Sequence, residues 1–245
     1  MELLYCAYRV FGLGALHFGA ACAGLCAWTF SRGVRRASPS LRKTLLFTRS
    51  LADKLVVMAD GRRLPKVVSD GSPDAAAFVA DVAAGRGVFV LSSHCGTVEV
   101  LAALGECKAV FHAWMDFDRT SVFNAFYARH SRRRRVVIHP ISGIGMETAF
   151  MAGDALERGD SLVMAGDRGD GAFRFAHALG ASAYFVACVW TGRSYRAVVR
   201  RLPGDTAGMK AAYFAALGEV TAAWPDQWFE WEGGEKGEGG GRDGV

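Results

Sequence analysis

Charged residues are scarce in this sequence. Only 22% of its 245 residues are charged, whereas 51% are apolar, and the mean hydropathy is +0.15. Such a composition excludes a disordered chain, a coiled coil and a nucleic-acid-binding tail. A single α/β domain of ~200–250 residues would account for the length. We therefore expect one globular domain with a membrane-facing part and no nucleic acid as partner.

Metal-site and disulfide signatures are also missing. The six cysteines lie in apolar surroundings and form neither a CxxC pair nor a Cys/His ligand spacing. This usage is typical of small buried residues in a reducing compartment, and it predicts no metal. The cysteines are Cys6, Cys22, Cys26, Cys95, Cys107 and Cys188.

Few basic residues precede the first long apolar run, which covers residues 10–30. Arg9 alone precedes this run, whereas Arg32, Arg35 and Arg36 follow it. A cleaved signal peptide has the opposite arrangement, and the positive-inside rule keeps the remainder of the chain cytoplasmic. The run predicts an N-terminal membrane anchor, either spanning or interfacial. A buried first helix of a soluble domain is the alternative.

Short β-rich apolar runs alternate with helical patterns over the remainder. Continuous apolar strands separated by helices predict an α/β fold with a mostly parallel central sheet and helices on both faces. Strands are predicted at 87–91, 109–111, 136–138, 161–164, 184–190 and 195–202, the last two as a hairpin. Helices are predicted at 41–59, 73–84, 97–106, 121–130, 146–158 and 206–224.

Three parts of the chain follow from these patterns. Residues 1–36 are predicted to form the anchor, residues 37–231 the α/β domain, and residues 232–245 a Gly-rich disordered tail. Chemistry in a parallel sheet lies beyond the carboxyl ends of its strands. The loops beginning near His94, His112, His139 and Asp167 are therefore the candidate site loops.

The strand-to-helix turn after residue 91 carries the most informative pair. His94 is followed five positions later by Glu99, in the first turn of the predicted helix, with Gly96 between them. This spacing can return the carboxylate to one imidazole nitrogen, so that the other nitrogen accepts a proton. We expect His94 as a general base oriented by Glu99, with backbone N–H groups near Thr97 as donors to an oxyanion.

These motifs resemble the lysophospholipid acyltransferase superfamily and, within it, the late lauroyl and myristoyl acyltransferases of lipid A biosynthesis. The resemblance spans nearly the whole chain in order. Its parts are the N-terminal residues 8–11, the helix at 47–55, the pair from His94 to Glu99, the helix from 145 to 159, the loop with Asp167 and the closing residues 224–229.

The resemblance implies a membrane-associated acyltransferase that moves an acyl chain from acyl carrier protein or acyl-CoA to a hydroxyl of a lipid A-like acceptor. It implies no cofactor, and a bacterial inner-membrane location with the catalytic domain on the cytoplasmic face. His94 and Glu99 would be catalytic. Substrate-binding residues would be Gly96, Thr97, Asp167 and Arg168.

The chain departs from this family at two places. The segment after Asp167 is shorter than in the family, and the arginine that some members place before the Met146 helix has no clear counterpart. A shorter segment predicts an open acyl pocket with Phe173, Phe175 and Tyr184 as one wall. The departures also leave a second hypothesis, a catalytically degenerate member that binds lipid or assists assembly. A phosphate-handling α/β enzyme is a weaker rival, because the turn lacks a Gly-rich loop.

Other conspicuous residues have structural interpretations. Cys95 is not expected to be a nucleophile, because adjacent side chains on an extended turn diverge. The run of arginines at 132–135 is either a solvated helix end or a basic patch for an acidic carrier or anionic headgroups. His112, His139 and His177 are interpreted as structural or loop histidines.

Overall fold

A computed structural model of the chain describes residues 2–59, 65–103, 109–115, 125–130, 136–142 and 144–229. The described residues form a seven-stranded sheet in the order β1-β7-β6-β2-β5-β3-β4. Neighbouring strands are parallel except β6 and β7, which form the predicted antiparallel hairpin. The strands are β1 (Val67–Ser69), β2 (Val88–Ser92), β3 (Phe111–Met115), β4 (Val136–Pro140), β5 (Ser161–Ala165), β6 (Ser182–Trp190) and β7 (Tyr195–Arg201). This confirms an α/β fold with a mostly parallel sheet.

Helices connect these strands. They are α1 (Glu2–Phe11), α2 (Leu13–Phe30), α3 (Arg32–Ala37), α4 (Leu41–Met58), α5 (Pro73–Ala83), α6 (125–130), α7 (Met146–Glu157), α8 (Gly171–Ala178) and α9 (Thr206–Ala223). Two 3₁₀ helices cover Val98–Ala103 and Pro225–Gln227. The predicted start of α5 is confirmed, since Pro73 is the first helical residue and the Ala75 N–H donates to the capping Ser72 Oγ at 3.1 Å.

Alternate residues of the buried strand β2 contribute to two apolar clusters. Phe89 and Leu91 belong to a cluster that also contains residues of α7, α8 and α9. Val88 and Val90 belong to a second cluster with residues of α4 and α5. This division follows from the strand geometry, in which successive side chains point to opposite faces of a sheet.

The N-terminal apolar run is not one uninterrupted helix. Gly12 adopts a φ of 83° and separates α1 from α2, because glycine accepts this left-handed backbone without a Cβ clash. The 18 residues of α2 are long and apolar enough to cross a membrane, as judged by length and composition. Helix α2 is thus compatible with a role as an N-terminal membrane anchor.

One face of α2 packs against α4. Leu16, Ala20 and Gly24 are buried at four-residue spacing, and a Cβ on Gly24 would lie 2.8 Å from Thr48 Oγ1. The third apolar cluster joins residues of α1, α2 and α4 to Phe126 of α6. The N-terminal helices and the following domain therefore share a packed interface.

Several predicted features differ from the structure or lie outside its described part. Strand β1, at the edge of the sheet, was not predicted, since three residues are too few for a periodic signal. Within the predicted helix from 97 to 106, the described residues Val98–Ala103 form a 3₁₀ helix and not an α-helix. Beyond the described residues lie the remainder of that predicted helix, the start of the predicted helix at 121, the arginine run, Cys107 and the tail at 232–245.

Candidate active site

His94 and Asp167 are brought together by the register of two parallel strands. Ser92 of β2 is paired with Ala165 of β5, and each of the two polar residues follows two positions beyond its strand. Because β2 and β5 are neighbours, equal extension beyond the shared sheet edge places the two loops side by side. The register itself therefore creates the pair.

Asp167 binds His94 at two points. The His94 backbone N–H donates to Asp167 Oδ2 at 2.8 Å, and the imidazole Nδ1 lies 3.0 Å from Oδ2 and 3.1 Å from Oδ1. Burial alone would raise the pKa of Asp167, but its hydrogen bonds to His94 and the charge of His94 outweigh burial and hold that pKa below its ordinary value. An ionised carboxylate can only accept, so the arrangement assigns the proton to Nδ1.

The two side chains of this pair differ in exposure. The Asp167 side chain is 3% exposed, whereas the His94 side chain is 38% exposed. Nε2 of His94 has no hydrogen-bond partner in the part of the chain that the structure describes. The imidazole is thus fixed at one nitrogen and open at the other, which is the arrangement that a general base requires.

Glu99 does not orient His94 as expected. Its carboxylate forms an ion pair with Lys54 of α4, while the imidazole hydrogen bonds go to Asp167. The expectation failed because it assumed an α-helix from Thr97, whereas the 3₁₀ helix directs Glu99 toward α4. Burial alone would raise the pKa of Glu99, but the charge and hydrogen bond of Lys54, a backbone hydrogen bond and the charge of His94 together outweigh burial and leave that pKa lowered.

Gly96 and Thr97 shape the loop and have no free backbone donor for an oxyanion. The Gly96 N–H donates to Gln227 O at 2.9 Å, and the Thr97 N–H donates to Cys188 O at 2.8 Å. The Thr97 hydroxyl is buried and donates to Ser50 Oγ of α4 at 2.7 Å. The expected oxyanion donors at this turn are therefore already used within the fold.

The closing residues near the C-terminus complete the loop from the other side. The Phe229 N–H donates to His94 O at 2.8 Å, and Cys95 pairs with Trp228 as an isolated antiparallel bridge. The Gln227 side chain joins this segment to β6, since it accepts from Trp190 N–H at 2.7 Å and donates to Trp190 O at 2.8 Å. The loop of His94 is held between β6 and the closing residues.

Cys95, which was not expected to be a nucleophile, and Arg168, a predicted substrate-binding residue, have contrasting environments. Cys95 is 1% exposed, and burial, assisted by the nearby Asp167 charge, raises the pKa of its thiol to about 12. The thiol is therefore protonated at neutral pH and is no nucleophile. Arg168 follows Asp167 directly and is exposed.

The expected pocket wall of three aromatic residues is wrong. Phe173 is fully buried against Tyr213 in the cluster with α7, α8 and α9, whereas Tyr184 is fully buried in the other sheet cluster. Phe175 packs on Phe89 and Trp114. Phe173 and Phe175 of α8 pack in one sheet cluster, whereas Tyr184 of β6 belongs to the other, so the three rings do not line one cavity.

The remaining predicted histidines lie away from the His94 imidazole. His112 Nδ1 lies 3.0 Å from His139 Nε2, and His112 Nε2 lies 3.3 Å from Asp160 Oδ2. Burial and the charge of His112 lower the pKa of His139. His177 is exposed on α8, and its Nδ1 bonds to Gly204 O at 2.7 Å.

An open cavity of about 510 Å³ also lies away from His94. It is bordered by β7, α9 and the loop before α5, and its charged residues are already paired in part, since Arg200 Nη1 lies 2.8 Å from Asp70 Oδ2. His94 is a stronger candidate site than this cavity, because a buried carboxylate binds one of its imidazole nitrogens and the other nitrogen is open.

Helix α4 contributes residues that the sequence patterns did not reveal. Ser50 and Lys54 contact the loop after His94, and Asp53 is fully buried. Asp53 bonds to His17 Nε2 of α2 at 2.6 Å and accepts from Tyr195 OH of β7 at 2.8 Å. One signal was available, because Asp53 interrupts an otherwise apolar helix face with a charge.

Neither a protein-family model nor a curated protein sequence matches this chain. The geometry of the site must therefore support any functional assignment.

Proposed function

We propose that this protein transfers an acyl group from a carrier thioester to a hydroxyl of an amphipathic lipid at the membrane. The observation that carries the proposal is the His94 imidazole, which is held by buried Asp167 at Nδ1 and open at Nε2. The likeness of the motif order to the acyltransferases of lipid A biosynthesis, noted from the sequence, supplies the reaction class. A lipid A-like glycolipid is the proposed acceptor, and acyl carrier protein or acyl-CoA is the proposed donor.

In the proposed step, His94 Nε2 takes the proton of the acceptor hydroxyl as its oxygen attacks the thioester carbon. A carbon–oxygen bond forms and the carbon–sulfur bond breaks. The proton then passes from Nε2 to the departing thiolate. Asp167 stabilises the imidazolium that exists between the two transfers, and it keeps the ring in the tautomer that leaves Nε2 free to accept.

The membrane part of the proposal depends on the N-terminal helices. Helix α2 has the length and hydropathy of a membrane segment, and large apolar side chains are exposed on α1 and α2. We propose a bacterial inner-membrane location with the catalytic domain on the cytoplasmic face, since the arginines follow the apolar run. We also propose that helices cover both faces of the sheet, because the two sheet clusters contain different helices.

The test is acyl transfer by the purified full chain in detergent, with an acyl carrier thioester as donor, extracted membrane lipids as acceptors and product masses as the readout. His94→Ala and Asp167→Asn should each lower the rate, the former by ~10²–10⁴-fold. His177→Ala is the matched control and should transfer at the wild-type rate, because its ring is exposed on α8. An active, folded His94→Ala protein would refute the mechanism.

A lipid-binding protein without catalysis is the second candidate. One observation favours this function. The Gly96 and Thr97 N–H groups already donate hydrogen bonds to Gln227 O and Cys188 O, so neither can donate to an oxyanion. Folded wild-type protein that binds the extracted lipids but yields no acylated product with either donor would select this function.

A further inference from the structure

Arg49 of α4 lies at the same edge of the sheet as His94. Its guanidinium carbon is 3.6 Å from the centroid of the Trp190 ring, and Trp190 is the last residue of β6. Because β6 is parallel to β2, the end of β6 lies at the edge where His94 follows β2. The next residue of α4, Ser50, accepts the hydrogen bond from Thr97 in the His94 loop. Arg49 thus belongs to the surroundings of the candidate site.

The guanidinium is held in place without its hydrogen-bonding capacity being used. Arg49 Nε lies 3.5 Å from Asp53 Oδ2, but it forms no hydrogen bond there. Asp53 has closer partners in His17 and Tyr195. Within the described residues, the Nη1 and Nη2 groups have no hydrogen-bond acceptor, and the side chain is 25% exposed.

This arrangement differs from that of two other charged pairs at the loop. Lys54 is bonded to Glu99, and His94 is bonded to Asp167, so those charges are matched at hydrogen-bond distance. Only the pair of Arg49 and Asp53 lacks a hydrogen bond among these three. A planar guanidinium that is stacked on an aromatic ring presents its paired in-plane donors to an oxyanion, and phosphate fits them in a bidentate manner.

The geometry points to Arg49 as a binding residue for a phosphate group of a substrate, with Trp190 and Asp53 as its positioning residues. This inference rests on the proposed function, whose lipid acceptor and acyl donor are the two sources of such a group. A lipid headgroup and the phosphopantetheine arm of a donor share the phosphate chemistry that Arg49 would recognise. The two sources are separated by the choice of ligand pair in the test.

The test measures equilibrium binding of matched ligands to the full chain in a nonionic detergent. One pair is phosphatidic acid and diacylglycerol with the same acyl chains, and the other is 4′-phosphopantetheine and pantetheine. Wild-type protein should bind the phosphorylated member of one pair at least about tenfold more tightly, equivalent to ~1.4 kcal/mol. The pair that shows the preference identifies the source. Equal affinities within both pairs would overturn the inference.

Variants assign the preference to Arg49. Arg49→Gln should abolish it, and Arg49→Lys should reduce it, because an ammonium lacks the planar pair of donors. Arg86→Gln is the matched control and should keep it, since Arg86 is exposed before β2, at the opposite end of that strand from His94. A folded Arg49→Gln protein with the wild-type preference would contradict the assignment.

Two further measurements keep the inference testable if an Arg49 variant fails to fold. In wild-type protein, phenylglyoxal should modify Arg49 more slowly when the preferred phosphorylated ligand is bound, as read by peptide mass. An unchanged rate would overturn the inference. His94→Ala should keep the phosphate preference, so a failure of acyl transfer and a failure of phosphate binding are separate results.

Discussion

The Asp167 carboxylate binds both the backbone N–H of His94 and Nδ1 of the His94 imidazole. The double contact couples the position of the loop to the orientation of the ring. A carboxylate that fixes only the ring would still allow the loop to move, whereas here the 2.8 Å backbone contact ties both loops together. The open Nε2 is therefore presented from a defined position, which is what efficient proton transfer requires.

Acid should remove the stabilisation that Asp167 contributes. Its pKa in the folded protein lies below the value of ~3.9 expected in the unfolded chain, so the contribution is complete above about pH 5 and is lost as pH falls through the folded pKa. The difference in unfolding free energy between wild type and Asp167→Asn should shrink as the pH falls below about 4. Urea unfolding at a series of pH values measures it. A difference that persists unchanged at pH 3 would contradict the ionised pair.

Glu99→Gln should lower the free energy of unfolding and should have a smaller effect on proton transfer. The substitution leaves the largely buried Lys54 ammonium without its carboxylate partner, and breaking such pairs costs up to about 3–5 kcal/mol. The acyl-transfer rate should fall less than in Asp167→Asn, since the imidazole keeps its partner. Chemical unfolding and the transfer assay on both variants make the comparison. The double variant Lys54→Met/Glu99→Gln should recover stability, and failure to do so would argue against loss of the Lys54–Glu99 ion pair as the cause.

Gly96→Ala should unfold the His94 loop or the whole domain. Gly96 has a φ of 76°, and a Cβ there would lie 2.0 Å from Cys188 O, so backbone strain and a clash with β6 act together. Gly71→Ala is the matched control, because Gly71 has a φ of 79° and nothing within 4 Å of its ideal Cβ. Thermal unfolding should show a much larger loss for Gly96→Ala than the ~1–2 kcal/mol expected from the backbone conformation alone. Equal losses would mean that the approach to β6 is unimportant.

Membrane attachment should depend on the exposed face of the N-terminal helices and not on their packed face. Changing exposed Phe11, Phe18 and Phe30 to Ser should shift the protein from the membrane pellet to the soluble fraction. Leu16→Ala should leave the chain in the pellet but lower its stability by ~2–5 kcal/mol, because Leu16 is fully buried. Fractionation in high salt and thermal unfolding read the two effects. Retention of the triple variant in the pellet would place the attachment elsewhere.

Deletion of residues 1–36 would combine two separate effects. It removes the apolar run, but it also removes His17 from buried Asp53 and uncovers the face of α4 that packs on α2. We expect such a truncation to leave the membrane and to lose stability together. The substitutions on the exposed face separate these two consequences.

Local sequence patterns predicted most elements of the fold, but they missed strand β1 and the 3₁₀ helix after Gly96. Apolar runs at β2 and β5 predicted buried strands, and the Ser72-Pro73 start predicted α5, because periodicity and capping are short-range effects. The same patterns identified His94 and Asp167 as residues just beyond strand ends. These local patterns did not predict the order of the strands in the sheet, since β2 pairs with β5 and β6 and not with β3, the next strand along the chain.

By itself, the sequence determined an α/β chain with an apolar N-terminus and a histidine in a strand-to-helix turn. Tertiary structure alone decided which carboxylate binds that histidine. Glu99 is nearer along the chain, but the 3₁₀ turn takes it to Lys54, whereas strand register brings Asp167 across 73 positions to Nδ1. Tertiary structure also placed the Arg49 guanidinium over the Trp190 ring and His17 Nε2 at hydrogen-bond distance from Asp53. These contacts depend on how helices pack on the sheet, which is set by the whole core and not by the spacing of any one motif.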